Sequence, residues 1–226
     1  MKTPSGIVVK VLSGGAAHKW LGSMISAGPL GADSEDLNYH LQSANKAFHA
    51  NRWILSDNMA SLFHRMRYFQ TVVSPVACFG SCRRTVYAHD LRKADIQFRK
   101  LLRQVVRPPA EADWSLPYHE VLHAWHGKIA QKCEKYGIRT WSQIALKQYW
   151  HFASYVARLP ADRWLSRVLR WMPYGMQSQG RPILAWDAAL VKFCKANSIG
   201  DWKVAAQDDR AWLSLTEDFI TFYNMA

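Results

Sequence analysis

His119-Glu120-Val121-Leu122-His123 places two histidines four positions apart. On a helix that spacing puts both imidazoles on one face, where they could hold Zn²⁺ while Glu120 polarises a metal-bound water. Pro117 weighs against this by setting His119 in the first helical turn, and no downstream segment offers a recognisable third ligand. A short pattern is also easily met by chance among nine histidines, so no metal is assigned. Cys78 and Cys82 lack a matching Cys or His pair at finger or knuckle spacing and read as buried free thiols. Asp208-Asp209 could serve two-metal chemistry only on a tight β-turn. The stretch Ala205 to Trp212 instead reads as helix, so an ion pair or a cap is expected. Neither a G-x-x-x-x-G-K-[ST] phosphate loop nor a nucleophile elbow is present, and no catalytic residue or cofactor is assigned.

The segment Tyr87 to Arg107 carries a different chemistry. At about 100° per residue, Leu91, Ala94, Phe98, Leu101, Leu102 and Val105 share one sector of a helix. Arg92, Lys93, Arg99, Lys100, Arg103 and Arg107 fill the opposite one. One face belongs in a core, and the other is a cationic ridge with no acid within it. Such a ridge can follow a phosphate backbone; the plain alternative is a solvated face.

The elements around it are mostly helical. Ile7 to Leu12, the turn residues Ser13-Gly14-Gly15 and the run Lys19 to Ile25 suggest an N-terminal β-hairpin. A helix starts near Asp33 or Ser34, with Glu35 and Asp36 in its first turn. It presents Leu37, Leu41, Ala44 and Phe48 at helical spacing and ends near Leu55. A second helix runs from about Asn58 to Val73, where Ser74-Pro75 stops it. Arg107-Pro108-Pro109 breaks the third and marks a boundary. Helices are then expected over Tyr118–Tyr136, Thr140–Arg158 and Ala161–Trp171. After the turn-rich stretch Pro173 to Pro182, two more follow, over Asp187–Asn197 and Trp202–Tyr223.

Composition narrows the class. The chain has 226 residues, 49% of them apolar, enough to bury roughly 70% of its unfolded surface. Lys and Arg outnumber Asp and Glu by 29 to 17, a net charge of +12, which points to a polyanionic partner. Eleven tryptophans serve mainly to fill spaces between helices. Four scattered cysteines form no disulfide framework, and no apolar run is long enough to span a bilayer. Ile7 to Leu12 is too short, and interrupted by Lys10, to be a secretory leader. A soluble, reduced, intracellular protein of nucleus or cytoplasm is expected, with no membrane partner.

Read in order, these segments resemble the region after the catalytic palm in reverse transcriptases of non-LTR retrotransposons. Lys19-Trp20-Leu21-Gly22 is similar to the K-[FYW]-L-G hairpin at the palm's end, near the primer grip. The helices from Leu37 to Ala77 resemble the thumb, and Val73 to Gly80 stands where the family has V-L-P-x-L-x-Y-G. Leu91 to Val106 resembles L-x-x-x-D-x-x-x-R-x-x-L-R, and Leu159 to Trp164 falls near R-M-P-x-x-R. Gly180 to Asp187 is similar to G-R-P-x-x-x-W-x-D, and Trp202 to Trp212 to W-x-x-x-A-x-D-R-x-x-W. The family's G-H-[VMI]-x-R signature is present only as Ala153 to Arg158, and its [FY]-A-D-D motif is absent.

The resemblance implies a mainly α fold in three parts. These are a palm-end β-hairpin remnant over 1–30, a thumb-like helical bundle over 31–107 and a helical C-terminal extension over 108–226. It further implies that the chain grips a template–primer backbone, RNA or DNA and in particular an RNA–DNA duplex. Lacking the aspartates of two-metal catalysis, it would not polymerise alone and would act beside a separate palm and fingers chain. The phosphate contacts expected are Arg92, Arg99, Lys100, Arg103 and Arg107, with Lys19 on the hairpin. The competing expectation is a helical protein-interaction module, or a decayed retroelement fragment without a nucleic-acid role.

Overall fold

The computed structural model describes residues 17–26, 32–109, 115–160, 162–166 and 186–224, and the described chain is mainly α-helical. A hairpin of β1 (Ala17–Trp20) and β2 (Ser23–Ser26) comes first, paired antiparallel with Trp20 opposite Ser23. Leu21 and Gly22 turn the chain with positive φ angles of 46° and 88°, the left-handed pair whose twist suits a two-residue hairpin loop. A Cβ on Gly22 would stand 3.1 Å from the Phe79 ring, so both conformation and space call for glycine there. This corrects the expected strand over Lys19 to Ile25, which is folded back on itself. The other expected strand, Ile7 to Leu12, and its turn at Ser13 to Gly15 lie outside the described residues.

The helices are α1 (Ala32–Ala50), α2 (Arg52–Leu55), α3 (Leu62–Val72), α4 (Ser74–Ala77), α5 (Ala88–Val105), α6 (Tyr118–Tyr136) and α7 (Trp141–Ala157). After them come α8 (Ala188–Ala196), α9 (Trp202–Ala205), α10 (Asp209–Ser214) and α11 (Thr216–Asn224). Local chemistry sets several ends. Ser61 caps α3 by accepting the His64 N–H at 3.4 Å, so that helix starts later than Asn58. Asn51 interrupts the expected first helix: its side-chain amide donates to the Ala47 carbonyl, and its oxygen accepts from the Tyr68 hydroxyl. Thr140 and Gln143 form a reciprocal capping box on α7, and Gly137 closes α6 in a left-handed conformation. The single helix expected over Trp202–Tyr223 is three, because Asp208 turns its carboxylate back onto the Ala211 N–H and starts a new one. Residues 161 and 167–185 are outside the described set, and with them six of the eleven positions of the expected helix over 161–171 and the turn-rich stretch.

Buried side chains fall into two clusters joined through α7. Leu37, Leu41, Ala44 and Phe48 of α1 pack with Met66 and Phe69 of α3 and with Phe98, Leu101, Leu102 and Val105 of α5. Ile129 and Cys133 of α6 and Trp141 at the start of α7 complete that cluster. The second begins at Leu146 and gathers Tyr149, Trp150, Phe193, Trp202, Trp212, Phe219 and Ile220. The division of the core thus falls inside α7, and α6 packs with the helices that precede the proline break.

Asp36 does not serve α1 as a solvated first-turn acid. It is buried, accepts the Met24 N–H at 2.9 Å, and lies against His40, Arg83 and Arg84, so it fastens the hairpin to α1. None of the described helices is long and apolar enough to cross a membrane.

Candidate nucleic-acid interface

The cationic face lies on α5. Ala94, Phe98, Leu101, Leu102 and Val105 are buried, whereas Leu91 is half-buried and packs against the second cluster. That anchoring leaves Arg92, Lys93, Lys100 and Arg107 exposed, with Arg99 and Arg103 half-buried. The face is thus presented by a helix whose position is set by packing on its other side.

Three acids lie near this row: Asp90 faces Lys93, Asp57 faces Arg65 near the Arg107 end, and Asp95 stands between Arg92 and Arg99. Asp95 accepts the Ser142 N–H at 2.9 Å and the Ser142 hydroxyl at 2.7 Å, which places its negative charge on the N-terminus of α7. Its oxygens hydrogen-bond that helix end and make no ion pair with a described guanidinium of α5, while its charge stays beside Arg92 and Arg99. At the far end of the row, Arg107 donates to Asn58, and Arg65 of α3 donates from Nη1 to the Val105 carbonyl at 3.1 Å. Burial and then the repulsion of Arg107 lower the pKa of Arg65, so the two positive charges are neighbours.

His126 of α6 lies beside the row and is held neutral by it. Burial, Arg103, Arg99 and His123 all depress its pKa, and its Nε2 is buried without a hydrogen-bond partner. The folded protein therefore resists the proton that the unfolded chain accepts near the ordinary value of 6.5. His151 is shifted the same way, by burial and then Lys147. For a depressed histidine, stability is full above the unfolded pKa and is lost as pH falls below it. The melting temperature should drop by a few degrees between about pH 7 and pH 5, and His126→Asn should lose less over that span. An identical pH profile in the variant would contradict the assigned proton.

Lys19 stands apart from this row: on the hairpin, its ammonium lies 5.1 Å from the centre of the Tyr39 ring. Sequence reasoning missed Ile96, which is 55% exposed amid the cations, and the contributions of Arg65 and His126 from other helices. Ile96 could have been placed by its helical angle. Arg65 and His126 carried no signal of proximity.

The other candidate chemistries have these settings. His119 and Glu120 are exposed and pair with each other at 3.9 Å, and the described residues contain no group of three or more side chains able to hold a metal. Asp208 is a helix cap, and Asp209 accepts from Ser154 and pairs with Arg158. Cys78 is a buried thiol whose pKa burial pushes up to about 12, while Cys82 is half-buried. Compared with known proteins, the chain matches no family model, no curated protein and no solved structure.

Proposed function

We propose that this chain binds nucleic acid through the phosphate backbone along α5, as a non-catalytic grip for an RNA–DNA duplex or a related strand. The carrying observation is the exposed cationic row: Arg92, Lys93 and Lys100 are exposed on α5 and Arg107 just past its end, and Asp95 beside them hydrogen-bonds Ser142 and pairs with none of them. Backbone contacts of this kind fix position without reading sequence. Counterions released from the phosphates supply the affinity and make it salt-dependent. The resemblance to a retrotransposon reverse-transcriptase thumb gives the row a precedent in kind, since a thumb grips the duplex that a palm and fingers chain would extend. The setting proposed is intracellular, in nucleus or cytoplasm.

The test is binding of a labelled RNA–DNA hybrid across a salt series, with wild type compared with Lys100→Ala/Arg103→Ala. Removing two phosphate contacts should reduce the slope of log K against log[salt] by roughly 1–2. A slope unchanged by the substitutions would remove α5 from the interface. Ile96 gives the protein-docking alternative its one observation, because an exposed β-branched side chain among cations suits an acidic, partly apolar protein surface. Binding of the hybrid only below physiological salt, with no effect of the double substitution, would favour that alternative.

A further inference from the structure

Arg92 and Arg99 are not simply part of a flat ridge. Both line a cleft of about 180 Å³ whose other walls include Ser142 at the start of α7 and Tyr223 and Asn224 at the end of α11. That volume would hold several water molecules, so a tetrahedral oxyanion fits within it. Neither guanidinium has a hydrogen-bond or ion-pair partner among the described residues, whereas Arg139 and Arg158 are paired with Glu217 and Asp209. The carboxylate in the cleft, Asp95, is taken up by the N–H and hydroxyl of Ser142, and Ser142 Oγ lies 3.3 Å from Asn224 Oδ1. Arg92, Asp95 and Arg99 thus form the α5 wall, with Ser142, Tyr223 and Asn224 opposite; two arginines against one carboxylate leave the cleft net positive.

We propose that the cleft between α5, the start of α7 and the end of α11 binds a phosphomonoester, held by Arg92 and Arg99. A phosphomonoester carries close to two negative charges near neutral pH and three acceptor oxygens, which suits two guanidiniums better than a singly charged phosphodiester does. The same doubly charged tetrahedral oxyanion is offered by the 5′-phosphate at the end of a strand lying on α5 or by an inorganic phosphate ion. The first source rests on the nucleic-acid reading above, and the second does not.

The experiment compares short single-stranded oligonucleotides with a 5′-phosphate and a 5′-hydroxyl, by fluorescence anisotropy, alongside the melting temperature in inorganic phosphate. The 5′-phosphate should tighten binding roughly tenfold, and Arg92→Ala should abolish that difference. Inorganic phosphate should raise the melting temperature of wild type more than that of Arg92→Ala. Equal binding of both oligonucleotides, with no phosphate effect that depends on Arg92, would overturn the cleft while leaving backbone binding intact. If neither oligonucleotide binds but phosphate still stabilises wild type through Arg92, the cleft stands as an inorganic-phosphate site, and the RNA–DNA hybrid titration decides the backbone reading.

Discussion

Replacing Trp150 with alanine is expected to lower the melting temperature on the order of 10 °C, through a loss of about 3–5 kcal/mol. Trp150 and Trp212 stack with ring centres 3.7 Å apart and planes within 2° of each other. Each indole donates to the other residue's carbonyl, Trp150 at 2.9 Å and Trp212 at 3.1 Å, so both polar edges are satisfied inside the core. Phe219 and Phe193 close around Trp150 at 4.5 and 5.3 Å. Truncation removes a large apolar body, opens a cavity and leaves the Trp212 carbonyl with only the Leu215 N–H as donor. Trp150→Phe should recover much of the packing but not the hydrogen bond, and so fall between wild type and the alanine variant. Trp53→Ala, at a tryptophan 74% exposed on α2, provides the reference for a surface change. Thermal unfolding in which the two alanine variants lose the same amount would refute the role given to the indole pair.

Asp36→Ala is the second large effect, a loss of about 3 kcal/mol concentrated at the junction of hairpin and helices. The substitution leaves the Met24 N–H without its acceptor and removes the counter-charge from Arg84, which is only 9% exposed. Burial alone would raise the pKa of Asp36, but hydrogen bonds from His40 and Met24 together with the charges of His40 and Arg84 outweigh it and lower it. Because the folded pKa is depressed, this contribution is present above the ordinary value of 3.8 and lost as pH falls through the folded value. It therefore acts in a more acid range than His126. Asp36→Asn keeps an oxygen for Met24 and drops the charge, so it should lose less than alanine does. Limited proteolysis should also cut the alanine variant sooner around residues 17–26, since the hairpin then keeps no bond to Asp36. Equal losses in the two variants would show that the Met24 hydrogen bond contributes nothing.

The two substitutions probe different kinds of order. The indole pair lies within the second cluster, and its loss should unfold the chain around α7, α10 and α11. Asp36 lies at an edge, where the hairpin meets α1 and the turn carrying Arg83 and Arg84. Its loss should be felt locally before it is felt globally.

What the amino-acid sequence determined by itself was local in origin. The period of Ala94, Phe98, Leu101, Leu102 and Val105 set both the buried face of α5 and, by difference, its cationic one, because helical geometry repeats within a few residues. The ends of α6 and α7 follow from Gly137 and from the Thr140–Gln143 box for the same reason. Tertiary structure decided whatever depends on distant segments meeting. Asp95 accepts from the N–H and hydroxyl of Ser142, 47 residues on, a link between α5 and α7 that neither segment shows by itself. Asp36 read as a first-turn acid, and the packing of a hairpin made it a buried clamp. The hairpin's turn moved to Leu21–Gly22, where Phe79 leaves no room for a Cβ on residue 22. The cleft joins Arg92 and Arg99 to Asn224 near the other end of the chain. Periodicity records which face a helix buries, but not which neighbour covers it, so the cations were legible in the sequence and the cleft they line was not.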